Sequence, residues 1–132
     1  MEGMGRETTQ GICLDSDASI AIINKLPQGF RILQLIEGKR IFLTSVTVFE
    51  LFRRQTNLEV IQRFIERFDI LSFDEKAAKN ASALEKELTK EGRKVAVRDL
   101  FIAATVLAHD CHFLTLNTKD FEKIHGLKLV KL

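Results

Sequence analysis

Short, unbroken apolar runs separated by amphipathic helical stretches constrain this chain more than any other feature of its sequence. Gly11-Ile-Cys-Leu-Asp15, Ile41-Phe-Leu-Thr44, Ile70-Leu-Ser-Phe73 and Phe113-Leu-Thr-Leu116 each read as a strand, and Leu127-Lys-Leu-Val130 completes the chain. A strand with one wet face alternates apolar and polar residues, whereas a strand covered on both faces is apolar throughout. These runs are of the second kind. With helices between them they predict a three-layer α/β/α domain around a central parallel sheet of about four to five strands.

The intervening segments carry helix signals. Ser16, Asp17 and Ser19 are N-cap types preceding Ile20, Ile22 and Ile23, and Pro27-Gln28-Gly29 reads as the turn that closes this unit. A short helix is expected from about Phe30 to Glu37, ending at Gly38. Ser45 or Thr47 can cap a helix with the apolar stripe Val48, Phe49, Leu51 and Phe52, leaving Glu50, Arg53, Arg54 and Asn57 on the other face. Leu58, Ile61, Ile65 and Phe68 keep a helical period. Asp74 caps a long helix whose buried stripe is Ala77, Ala81, Leu84 and Leu88, and Asp99 opens a helix to His109 that is apolar almost all round. A last short helix is expected around Asp120 to Ile124.

At 132 residues, 45% hydrophobic and 29% charged, with 7 Gly and 1 Pro, the chain has the composition of an ordinary globular domain. The expected organisation is a polar tail over residues 1–10 and a single domain over 11–132. Cys13 and Cys111 are too few for a disulfide framework and suit small buried thiols in a reducing compartment. No apolar run reaches the roughly 20 residues that cross a bilayer, and the first residues lack a signal-peptide core, so the expected location is cytoplasmic with no membrane association. Twenty basic and 18 acidic side chains give a net charge of +2, so bulk charge alone points to no nucleic-acid partner.

In open parallel sheets ligands bind beyond the carboxyl ends of the strands. Asp15 follows the first strand, Glu50 lies a few residues past the second, and Asn117 and Asp120 follow the fourth; Asp99 at a helix start joins them. Each acid alone fits a cap or a surface charge. Converging at one sheet edge, however, unpaired carboxylates repel and raise one another's pKa, and a divalent cation relieves that repulsion. All-oxygen ligation selects Mg²⁺ or Mn²⁺.

Four segments carry a resemblance: Ile12-Cys-Leu-Asp-Ser-Asp-Ala18, Thr44-Ser-Val-Thr-Val-Phe-Glu-Leu51, Arg98-Asp-Leu-Phe-Ile-Ala-Ala-Thr105, and Leu114-Thr-Leu-Asn-Thr-Lys-Asp-Phe121 followed by Gly126-Leu. In order and spacing they resemble the signature blocks of the PIN domain, most closely those of VapC-type toxins. The resemblance implies a Mg²⁺- or Mn²⁺-dependent ribonuclease, the toxin of a type II toxin-antitoxin pair. It implies Asp15, Glu50 and Asp99 as acidic core positions and metal ligands, with the fourth polar position on Asn117 and Asp120, and Asp120 also counted as catalytic. Homodimers and a VapB-type antitoxin partner recur in the family. Two departures stand out: Asp17 adds a charge where many relatives have Asn, and Arg98 precedes Asp99 where relatives often carry a smaller residue.

An RNA strand approaching such an acidic pocket needs cations around it. Arg53, Arg54, Arg98 and Lys119 are the candidate substrate-binding residues, with Arg93, Lys94 and Lys123 nearby in sequence. All 10 aromatics are Phe, mostly at core positions, so RNA shape rather than extensive base stacking is the expected basis of selectivity. The first half also holds more large apolar side chains, among them Phe30, Leu33, Leu58 and Ile61, than two short helices need for a core, which predicts apolar surface for a partner. Two alternatives remain. One is a non-catalytic PIN-like interaction module. The other is a haloacid-dehalogenase-like phosphatase, which the Asp15-Ser-Asp17 pattern also resembles but for which the downstream lysine and acidic pair are missing.

Overall fold

The structure, a computed structural model, describes residues 11–132; the expected tail over 1–10 lies outside the described residues. Five short strands, β1 (Ile12–Leu14), β2 (Ile41–Thr44), β3 (Asp69–Leu71), β4 (His112–Leu114) and β5 (Lys128–Val130), form one sheet in the order β3-β2-β1-β4-β5. Every pairing is parallel. The helices are α1 (Ser16–Ile23), α2 (Pro27–Ile36), α3 (Ser45–Arg54), α4 (Leu58–Ile65), α5 (Glu75–Lys90), α6 (Val97–Ala108) and α7 (Thr118–Phe121).

Alternation along the strands divides the core in two, because successive side chains leave a strand on opposite faces. Ile12, Leu14, Leu43 and Leu114 point to one side and pack with Ala18, Ile32, Leu51, Ile61 and Phe64 from α1 to α4. Cys13, Phe42 and Phe113 point to the other and pack with Ile102, Ala103, Val106 and Phe121 from α6 and α7. Helix α5 lies against α6 through Ala81, Leu88, Leu100 and Ala104. Burial on both faces is why the strands read as continuous apolar runs. Burial also pushes the thiols of Cys13 and Cys111 upward in pKa, which leaves both as inert packing groups.

Several boundaries differ from the sequence expectation, each for a local reason. Pro27-Gln28-Gly29 does not close a turn but forms the first turn of α2, where proline's missing N–H costs nothing. Gly29 is required there by packing: a Cβ on it would lie 2.2 Å from the Ala21 carbonyl oxygen of α1. That close approach gives α1's buried face to Ser16, Ala18, Ser19 and Ala21, while Ile20, Ile22 and Ile23 are only partly covered. Thr44, rather than Ser45 or Thr47, caps α3, its hydroxyl accepting from the Thr47 N–H at 3.0 Å. Phe49, expected in the apolar stripe of α3, is 55% exposed, with the Arg53 guanidinium 5.7 Å from its ring centre. Asp74 caps α5 as expected, and His109 stands at the C-cap of α6.

The strand order reverses direction between β1 and β4, since the chain builds outward through β2 and β3 and then returns to add β4 and β5 on the other side of β1. Two loops diverge at such a point and leave a crevice at the carboxyl ends of the strands. Leu14 is paired with Leu114 at the end of this register, so Asp15 and Thr115 emerge side by side.

Candidate active site

Asp15 sits at the mouth of the crevice and is only 4% exposed. It caps α1 itself, which Ser16, Asp17 and Ser19 were expected to do: its Oδ1 accepts from the Ala18 N–H at 2.8 Å. Its other oxygen accepts from the Thr115 hydroxyl across the β1–β4 boundary, and Thr115 Oγ1 in turn accepts from the Asn117 N–H at 2.9 Å. Burial strips water from the carboxylate and pushes its pKa up to about 7. The two donors pull the other way, while Asp17 and Asp99 push it further up.

Glu50 comes into the same cleft from the middle of α3. Its Oε1 accepts from Ser16 Oγ at 2.5 Å and its Oε2 from Arg98 Nη1 at 3.0 Å. Asp99 does not open α6 as expected: Ala96 is the N-cap, and Asp99 lies in the first turn, where the free N–H groups of the helix start favour negative charge. Its carboxylate accepts no hydrogen bond among the described residues. Partial burial raises its pKa, and the charges of Asp120 and Glu50 add to the rise. Asn117, which lines the cleft, donates through Nδ2 to Asp120 Oδ2 at 2.6 Å.

A small cleft of about 70 Å³ is lined by Asp15, Ser16, Asp17, Glu50, Arg54, Asp99, Ile102, Asn117 and Phe121. A larger concavity of about 520 Å³ opens at the far end of β1, where Ile12, Leu35 and Val130 line it together with the basic Lys39, Arg40 and His112, and no acid is among its lining residues. The small cleft is where the chemistry gathers. The structure therefore brings together Asp15, Glu50, Asp99 and Asn117, with Asp120 bound to Asn117, although these positions are scattered over most of the chain.

The cations divide. Arg98 is bound to Glu50, and Arg54 lines the cleft while pairing with Asp17 Oδ1 at 3.0 Å. Arg53 stacks over Phe49 instead of lining the cleft, and Lys119, exposed in α7, forms no ion pair among the described residues. Sequence reasoning missed Ser16 and Thr115, which hold the acids in place. Ser16 adjoins Asp15 in sequence, but Thr115 becomes visible only through the β1–β4 register.

The donor set fits a divalent cation. Five carboxylates (Asp15, Asp17, Glu50, Asp99 and Asp120) meet two arginines, so ionising them all leaves three negative charges uncompensated in a shielded cleft. Burial is the main cause of the raised pKa values of Asp15 and Asp99, and the neighbouring carboxylates add to it; hard oxygen donors match Mg²⁺ or Mn²⁺. A second group, Glu87, Glu91 and His125, also converges, but it is exposed and already joined by an ion pair between His125 Nε2 and Glu91 Oε2 at 3.0 Å.

Residues 12–127 match the PIN domain. The chain is 30% identical over 122 residues to the tRNA(fMet)-specific endonuclease VapC of Shigella flexneri, covering 87% of this chain and 92% of that protein. It is 25% identical to ribonuclease VapC2 of Haemophilus influenzae strain Rd over 87% of this chain and 92% of the relative. Among solved structures, DNA-bound VapBC from Salmonella typhimurium superposes with a TM-score of 0.81 at 27% identity, over 92% of this chain and 97% of that one.

Proposed function

The chain belongs to the PIN domain family, and from that premise we propose that it is a metal-dependent endoribonuclease, the toxin of a type II toxin-antitoxin pair. Relatives named as endonucleases and ribonucleases along nearly the whole chain support the reaction class. The single observation that carries the metal reading is the convergence of Asp15, Glu50 and Asp99 in one cleft with charge left uncompensated. In this reading residues 11–132 act as one nuclease domain in the cytoplasm.

Asp15 and Asp99 would hold the cation, with Glu50 and the Asn117–Asp120 pair as the further oxygen donors. When bound, a divalent ion there supplies Lewis acidity at a phosphate and lowers the pKa of water. The chain's own residues do the rest. Thr115 and the Ala18 N–H fix both oxygens of Asp15, Ser16 fixes Glu50, and the Asn117 carboxamide fixes Asp120, so three of the acids are oriented before any ligand arrives. Arg54 and Lys119 are offered to the RNA backbone near the cleft, and Arg53 further along α3.

A VapB-type antitoxin and a second copy of the chain are the proposed protein partners. Solved complexes of toxin and antitoxin among the relatives support the first. The exposed apolar side chains of Phe30, Leu33 and Leu58 on α2 and α4 support an apolar contact surface for either.

The test is cleavage of mixed RNA by the purified chain. Activity is expected with Mg²⁺ or Mn²⁺, none with chelator, and a loss of at least about a hundredfold in Asp99→Asn with its fold intact. Chelator-resistant cleavage, or full activity in Asp99→Asn, would overturn the reading; no cleavage under any condition would return the non-catalytic alternative.

A further inference from the structure

Two acids of the cleft already carry a cation, Glu50 with Arg98 and Asp17 with Arg54, and Glu50 is the more buried of the two. Its side chain is 13% exposed, and Arg98, 46% exposed, reaches in from the rim to close the Oε2 side at 3.0 Å. Ser16 closes the Oε1 side. Asp15 is held differently, by a backbone N–H and a hydroxyl, both neutral. A neutral donor occupies one lone pair and leaves the charge of the carboxylate available to an incoming ion. A guanidinium neutralises that charge and occupies the approach as well. The comparable pair, Arg54 with Asp17, lies further out, 41% and 45% exposed, where water and salt weaken it.

Arg98 also directly precedes Asp99, whose carboxylate has no hydrogen-bond partner among the described residues, although the charge of Arg98 acts on it. The same turn of α6 therefore presents an open ligand to the cleft and a plug for its neighbour. We infer that Arg98 is an intramolecular competitor for Glu50, so that a divalent ion draws on Asp15 and Asp99 and gains Glu50 only where Arg98 gives it up, and the strength of the Arg98–Glu50 pair sets how tightly the cleft takes the ion. Arg98 is in this sense a positioning residue acting through Glu50. The inference rests on the metal-site reading above.

The experiment is Mn²⁺ binding to the purified full chain without RNA, following the free-ion EPR signal, for wild type, Arg98→Gln, Arg98→Lys, Glu50→Gln and the Arg98→Gln/Glu50→Gln double variant. Releasing a pair worth about 1 kcal/mol is expected to tighten Kd about fivefold in Arg98→Gln. Arg98→Lys, which keeps the charge and loses the planar fork, is expected to fall between it and wild type. In the Glu50→Gln background the gain from Arg98→Gln should shrink below about twofold, as a direct coupling requires. A gain that persists there in full would show a general charge effect on the cleft and overturn the inference, as would an unchanged Kd in Arg98→Gln when wild type binds Mn²⁺. Failure of wild type and every variant to bind Mn²⁺ would overturn the metal-site reading and this inference together.

Discussion

Asp15→Asn is expected to make the metal-free protein more stable. In the folded chain the Asp15 carboxyl titrates at about 7, against an ordinary value of 3.8, with loss of water as the main cause. The sign follows from proton linkage. Between about pH 4 and pH 7 the folded state holds a proton that the unfolded state has released, so stability falls as pH rises through that window and levels off above it. At 1.36 kcal/mol per pH unit, the full penalty above pH 7 is about 4 kcal/mol. Asparagine removes the charge but has one acceptor oxygen where the carboxylate has two, so either the Ala18 N–H or the Thr115 hydroxyl must find another partner, at a cost of about 1 kcal/mol. The net gain at pH 8 is therefore about 2–3 kcal/mol, and nearly all of it should vanish at pH 5. Urea unfolding at both pH values with chelator present measures it. Mn²⁺ at a hundred times Kd should close most of this gap, stabilising wild type by about 2.7 kcal/mol and the variant far less. A variant no more stable than wild type at pH 8, or a gain equal at both pH values, would refute the account of Asp15 as a buried charge awaiting a counter-ion.

The Ser19 hydroxyl is fully buried without a hydrogen-bond partner among the described residues, so Ser19→Ala should raise stability by about 0.5–1 kcal/mol in urea unfolding. Gly29→Ala places a methyl against the Ala21 carbonyl and should lower stability by about 2–3 kcal/mol despite alanine's better helix propensity, measured the same way. Thr115→Val keeps the shape but removes the donor to Asp15 and the acceptor for the Asn117 N–H; it should weaken Mn²⁺ binding several-fold, with thermal unfolding reporting a loss of about 1–2 kcal/mol.

The fold was legible because burial on both sheet faces writes itself into sequence as apolar runs, and β2 coincides with Ile41–Thr44 as read. Where the reading slipped, a contact from elsewhere in the chain decided the outcome. Pro27 to Gly29 carry the composition of a turn, and only the approach of α1 to α2 makes the glycine a helical one. Phe49 satisfies the period of the α3 stripe, but the buried positions of that helix are Thr47 and Leu51. Asp15, Glu50, Asn117 and Asp120 could be located from strand ends, and Asp99 from a helix start. Their partners could not, because Thr115 and Arg98 are joined to Asp15 and Glu50 by the meeting of distant segments. Arg98, read as a substrate cation, is found on Glu50.

The contact between Asp15 and Thr115 spans 100 residues of chain, and the strand that delivers Thr115 becomes the inner neighbour of β1. At about 5–20 residues per second, synthesis leaves an interval of about 5–20 s between making the first acid and making the hydroxyl that holds it. Throughout that time α1 to α4 can collapse on one side of an incomplete sheet, but the crevice has only one wall. In a chain built this way the cleft is among the last features to be completed. Any product that stops short of β4 contains Asp15, Glu50 and Asp99 but lacks Thr115, Asn117 and Asp120, and with them one side of the cleft.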